Sequence, residues 1–179
     1  MRTDRAIRQH LALIVRWSEA IPRNPELDLI SSPYPLPETL NTIRALASKD
    51  LLRPRLVRPG LARQLQNLPR AVDSSAGVLE KAVIDATGQL TCKGWARIAT
   101  ANRPADCVVV GFEKDGAWEP FSVFETEKGG AASGRGGFSR TIIGKTVPPS
   151  GVALRACAVD LEHEQLFPLA GEIKFSSSR

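Results

Sequence analysis

Two different periodicities meet near residue 75. Over residues 4–20 the apolar side chains Ile7, Leu11, Ile14 and Val15 recur on one helical stripe, with Arg5, Arg8, Gln9 and Arg16 largely off it. That spacing predicts an amphipathic helix, with Asp4 placed to cap its start and Pro22 to mark its end. Leu40, Ile43, Leu46 and Ala47 predict a second helix over 38–48, with Pro37 in its first turn, and a short third helix fits 61–67. Five prolines (Pro22, Pro25, Pro33, Pro35 and Pro37) make 22–37 an irregular connector with at most one helical turn, around 25–30. Pro54 and Pro59 keep 53–60 extended, because proline disfavours the helical region for the residue before it.

Beyond residue 75 the period drops to two. Strands are expected at 77–85, 90–98, 107–114, 118–127, 138–143, 152–160 and 165–175, separated by turns at Thr87-Gly88, Asp115-Gly116, 129–137 and 148–151. About seven short strands of this kind, following a small helical segment, define an α+β chain with an antiparallel β-sandwich. The small and polar residues 70–77 mark the boundary between a basic helical segment with its Pro-rich connector (1–70) and the sandwich domain (75–179).

Charge follows the same division. Residues 1–70 hold 12 Lys+Arg against 6 Asp+Glu, a net of +6, whereas 71–179 hold 12 against 13, a net of −1. A basic half of this kind suits nucleic acid, an anionic membrane surface or an acidic partner, and equally a solvated helical face. Arg53, Arg55 and Arg58 are its candidate nucleic-acid contacts, on a stretch that loosely imitates a wing after the 38–48 helix. The interrupted 22–37 segment argues against a compact helix-turn-helix, so this stays the alternative reading. Cys92, Cys107 and Cys157 all fall in expected strands and read as buried free thiols; one disulfide with a spare thiol is the other arrangement their number permits. No CxxC or Cys/His spacing calls for zinc. The longest apolar run near the N-terminus, residues 11–15, is far below the roughly 20 residues of a membrane span.

Reactive motifs are sparse. Gly144-Lys145-Thr146 lacks both the upstream glycine and the following helix of a phosphate loop, since Val147-Pro148-Pro149 comes next. The glycine-rich 129–137 segment reads as a hairpin loop whose one charge, Arg135, can close on a ligand. His10 and His163 are far apart in the chain, with neither a Gly-x-Ser-x-Gly elbow nor a zinc-protease motif. Glu113, Asp115, Glu119, Glu125 and Glu127 crowd one hairpin, where a glycosidase-like pair is the weakest of the functional readings. Aromatic rings flanked by polar groups suit sugars, whose C–H faces stack on indole while their hydroxyls find hydrogen bonds. Trp95, beside Gly94, reads primarily as a core anchor. Trp118, just past the Asp115-Gly116 turn, is the exposed candidate, with Asp115 and Arg135 as its polar companions.

Two stretches carry a resemblance. One runs through Asn24-Pro25-Glu26-Leu27, Tyr34-Pro35-Leu36-Pro37 and Leu51-Leu52-Arg53-Pro54-Arg55-Leu56. The other runs through Gly94-Trp95-Ala96, Arg103-Pro104-Ala105-Asp106, Asp115-Gly116 and Leu154-x-Ala156-x-Ala158-x-Asp160. Together they resemble the soluble C-terminal region, a helical linker plus a β-sandwich, of uncharacterised bacterial multi-spanning cell-envelope membrane proteins. In those proteins the region follows the last membrane span, which is not seen here. The resemblance implies an extracytoplasmic, membrane-associated setting, with the Arg-rich helix near anionic lipid; a stand-alone relative would be cytoplasmic. It supplies no catalytic residues and no cofactor. The expectation is therefore a non-enzymatic accessory or binding module of the cell envelope that holds a glycan or a partner protein.

Overall fold

The alternating stretch from residue 90 becomes the central strand of one sheet, and the continuous apolar runs at 107 and 153 become the central strands of another. The computed structural model describes residues 4–22, 27, 36–53, 55–68, 70–84, 89–127, 135–142 and 151–174, with backbone alone at 4–10, 36 and 84. Three helices come first: α1 (Asp4–Trp17), α2 (Leu36–Ser48) and α3 (Pro59–Gln66). Then follow β1 (Gly77–Ile84), β2 (Leu90–Ile98), β3 (Arg103–Pro104), β4 (Cys107–Lys114), β5 (Ala117–Glu125), β6 (Gly136–Ile142), β7 (Ala153–Asp160), β8 (Gln165–Pro168) and β9 (Ile173–Lys174). The chain is α+β, a small helical segment followed by two antiparallel sheets, as the sequence pattern predicts. The expected turn at 87–88, the connector turn around 25–30, most of the glycine-rich loop and Gly144-Lys145-Thr146 lie outside the described residues.

In the first sheet β2 pairs with β1 on one side and with β6, then the two-residue β3, on the other. In the second the order is β5-β4-β7-β8, with β9 also on β7. The segment expected as one last strand, 165–175, is broken in two. Leu169 N still donates to the Ala156 carbonyl of β7 (2.9 Å), and the chain then crosses to β1: Ala170 N donates to the Gly77 carbonyl (3.0 Å) and Leu79 N to that of Ala170 (2.8 Å). Gly171 then turns the chain at φ +90°, hard against the Leu79 backbone, where a side chain has neither the conformation nor the room.

Between the sheets lies the main core. Leu79, Leu90, Cys92, Ala96 and Ile98 face Val108, Val110, Phe124, Leu154, Ala156 and Ala158, and the Phe124 and Phe138 rings meet at 5.9 Å. The opposite faces of β4, β5 and β7 are apolar too, and the helical segment covers them. Trp17, Ile21, Val57, Leu61, Leu65 and Leu68 pack on Cys107, Val109, Trp118, Val123, Cys157 and Val159. Helix α3 shows how: Pro59 opens it, Leu61 and Leu65 point inward at a spacing of four, and Arg63 and Gln64 stay in solvent. The order is thus helices, second sheet, first sheet. The strands in the middle are buried on both faces, which accounts for their unbroken apolar runs. Helix α2 stands at the periphery, where Arg44 Nε donates to Glu19 (3.0 Å) and Leu46 is exposed.

Candidate binding face

The outer face of the first sheet has no layer over it among the described residues. Register places Thr91, Lys93 and Trp95 of β2 there, beside Val83, Lys81 and Val78 of β1 and Thr141, Ser139 and Gly137 of β6. Arg97 continues the row, with its Nε donating to the Ser75 carbonyl (2.7 Å). Thr91 and Thr141 share a hydroxyl hydrogen bond of 2.8 Å. Lys81 sits directly opposite Lys93, a like-charge pairing that works against strand association. A β-bulge between Leu79 and Lys81 leaves Glu80 exposed as the extra residue.

At the centre is Trp95, half-buried, with the Arg135 guanidinium carbon 4.4 Å from its ring centroid. This is a cation–π contact, electrostatically favourable because the ring face is negative. Across from Trp95 lies Gly137, where an added Cβ would touch nothing within 4 Å, so the sheet beside the indole is open. Lys81, Lys93, Arg97 and Arg135 share this surface with the acids Glu80 and Glu127, the latter bridged to Gly137.

The roles expected of the two tryptophans are exchanged. Trp118 is 4% exposed, part of the core beneath the helices, with its ring against Gly111 and its Nε1 lacking a hydrogen-bond partner. The cause is register. Trp118 pairs with Glu113 and so shares the face of Cys107 and Val109, which α1 and α3 cover. Trp95, expected in the core, alternates out of it together with Lys93 and Arg97. The three candidate residues Trp118, Asp115 and Arg135 therefore form no common site. Asp115 is exposed at the tip of the β4–β5 hairpin (φ +52°, followed by Gly116 at +79°), and Arg135 belongs to the other sheet, on Trp95. The signal was available: in 90–98 the positions occupied by Thr, Lys, Trp and Arg share one parity.

Glu113, Glu119 and Glu125 of the hairpin do not come together. Glu113 pairs with Arg70 on the helix side, whereas Glu119, opposite Phe112, points to the other face. Glu125 lies opposite Cys107, six residues along β4 from Glu113, or about 20 Å. A glycosidase pair needs about 5–10 Å. The candidate nucleic-acid arginines are all engaged internally. Arg53 and Arg55 both reach Asp50 (3.3 and 3.0 Å), which holds its carboxyl below the ordinary value, first through the Arg53 hydrogen bond, and Arg58 meets Glu164 (2.8 Å).

His163 Nδ1 lies 2.8 Å from Asp160, a pair that looks like a base and its orienting carboxylate. Asp160 is 2% exposed and also accepts from Arg103 (2.9 Å) and from the backbone N–H groups of Glu162 and His163. Burial pushes its carboxyl up, but the hydrogen bonds of His163 and the Arg103 charge outweigh burial and hold it below 3.8. The His163 ring is raised above 6.5, first by its hydrogen bond to Asp160. Asp106 completes the knot, binding Arg103 (2.8 Å) and the Leu161 N–H (2.8 Å). The knot ties the β7–β8 turn to the start of β4, and among the described residues no Ser, Thr or Cys is hydrogen-bonded to Asp160 or His163.

Cys92, Cys107 and Cys157 are buried free thiols; burial pushes Cys92 and Cys157 up to about 12 and Cys107 higher still, so none is reactive near neutrality. His10 lies in α1, where the backbone alone is described. Among the described residues no three His, Cys, Asp or Glu are placed to hold a metal ion, and no helix is long and apolar enough to cross a membrane.

Fold and surface together define a class: a three-layer α+β protein with one sheet face covered by helices and the other carrying an aromatic–cationic patch. Comparisons with family models, with curated proteins and with solved structures returned no match.

Proposed function

We propose that this protein is a non-catalytic binding module and that its ligand is a glycan carrying acidic groups, held on the outer face of β1, β2 and β6. The observation that carries the reading is the Trp95–Arg135 stack in the middle of an open sheet face. An indole offers an apolar plane to the C–H face of a sugar, and the hydroxyl side chains of Thr91, Ser139 and Thr141 suit its hydroxyls. Lys81, Lys93, Arg97 and Arg135 favour carboxylates or sulfates over a neutral sugar. The row from residue 91 to 97 is about 20 Å long, enough for an extended chain and not for a deep pocket. Envelope placement, which the sequence resemblance implies, suits such a ligand and is part of the proposal.

The test is a tryptophan-fluorescence titration with oligogalacturonate, using the methyl-esterified oligomer as the neutral control. Trp17 and Trp118 are buried, so Trp95 reports the exposed surface. The expected result is saturable quenching by the acidic oligomer, lost in Trp95→Ala and weakened in Lys93→Thr. Unchanged emission across acidic glycans, or equal response in Trp95→Ala, rejects the proposal.

A further inference from the structure

On the opposite side of the molecule, where α1 ends against the extended residues 55–58, the β7–β8 turn closes over both and leaves a cavity of about 370 Å³. Val57 N donates to the Arg16 carbonyl (3.1 Å), which fixes the end of α1 to that segment. Three separate stretches supply cationic groups to the walls: Arg16 from α1, Arg55 and Arg58 from the extended segment, and His163 from the turn. Glu162 and Glu164 line it as well.

These groups differ in how they are satisfied. Arg58 is paired with Glu164, Arg55 with Asp50 and His163 with Asp160. Arg16 has its Nε buried without a hydrogen-bond partner. A charged donor left unpaired away from water is costly, and buried donors of this kind are rare in folded proteins. The Arg58–Glu164 and Arg55–Asp50 pairs are largely exposed on the arginine side, so they contribute little and can open towards a competing anion.

We infer that this cavity is an oxyanion site that takes a phosphoryl group, with Arg16 as its anchor and Arg55, Arg58 and His163 as flanking donors. Guanidinium groups arriving from separate directions match a tetrahedral phosphoryl group, whereas a planar carboxylate is satisfied by one fork. The volume lies in the range of small-molecule sites. Glu162 and Glu164 on the walls disfavour a long polyanion, so the ligand is one phosphorylated group and not a nucleic-acid backbone. The inference is independent of the Trp95 face, which lies beyond both sheets.

Isothermal titration of the full chain with inorganic phosphate, at constant ionic strength set with chloride, tests it. One saturable site is expected, weakened about 10- to 100-fold in Arg16→Gln, the loss of a charge-assisted hydrogen bond. Arg53→Gln, outside the cavity, should bind as the parent does. No saturable binding, or undiminished binding in Arg16→Gln, overturns the inference. Circular dichroism shows whether that variant folds. If it does not, Arg58→Gln at an exposed position takes its place: weaker phosphate binding sustains the inference and unchanged binding overturns it. Cosedimentation with phosphatidylglycerol vesicles in phosphatidylcholine identifies the source. Binding reversed by free phosphate assigns the group to a lipid headgroup, whereas phosphate binding without cosedimentation assigns it to a soluble phosphorylated molecule; either sustains the site.

Discussion

Trp118 and Trp95 sit on the outer faces of the two sheets, and their surroundings could hardly differ more. Around Trp118 the cluster beneath the helices is apolar, with Glu113 the charged residue opposite it; around Trp95 stand Val78, Lys93, Arg97 and Arg135, and no described residue lies within reach of a Cβ added at Gly137. The same residue type is a structural element on one face and, in the proposed function, a recognition element on the other. What decides is whether the strand beneath it has a third layer above. The β4 and β7 strands, apolar at nearly every position, demand that layer, whereas β2, alternating strictly, leaves its face free.

The comparison can be broken most directly by exchanging the tryptophans for alanine. Trp118→Ala should destabilise the fold by about 3–5 kcal/mol, the range for a buried large aromatic, and Trp95→Ala by no more than about 1 kcal/mol. Urea unfolding measures both, and equal losses would erase the distinction between the faces.

Next in size is the knot beneath the β7–β8 turn. Asp160→Ala should cost about 2–4 kcal/mol, because it leaves two backbone N–H groups without their acceptor and Arg103 with Asp106 as its remaining close partner. It also has a pH signature. The Asp160 carboxyl is lowered in the fold, so its contribution is present above 3.8 and lost as pH falls through the lowered value. The His163 ring is raised, so its contribution is complete below 6.5 and fades as pH rises through the raised value. Unfolding midpoints recorded from pH 3 to 9 should lose both slopes in Asp160→Ala; slopes that persist would place them in other groups.

A pair of glycines sharpens the contrast further. At Gly111 an added Cβ would lie 2.6 Å from the Trp118 ring, so Gly111→Ala should cost about 1–3 kcal/mol. Gly137 faces Trp95 with nothing in reach, and Gly137→Ala should change stability by less than about 1 kcal/mol, in the stabilising direction. Thermal melts of the two variants should separate clearly; a comparable loss in Gly137→Ala would mean the open face is more tightly packed than its geometry implies.

The smallest effect is opposite in sign. Lys93→Thr removes the like-charge pairing with Lys81 and should stabilise the protein by about 0.2–1 kcal/mol while weakening any acidic ligand. A destabilised Lys93→Thr would show that the lysines are there for the fold and not for a partner.

Periodicity alone carried the α+β class, the three helices and most strand positions, because backbone hydrogen bonding and apolar burial impose periods of 3.6 and 2 locally. The 107–114 strand is where the apolar run puts it. The split of 165–175 was hidden, since it depends on Ala170 finding β1 across the chain. The face proposed for binding was half legible. The parity of Thr91, Lys93, Trp95 and Arg97 marks it, but Trp118 in sequence looks as exposed as its Asp115-Gly116 neighbours. Only the packing of Trp17, Leu61 and Leu65 over β5 buries it. The phosphoryl cavity was not legible at all, because Arg16, Arg58 and His163 are more than a hundred residues apart from first to last. Local periods write themselves into the chain; which face a distant helix covers, and which cations meet across a cleft, are settled when long-range burial brings the layers together.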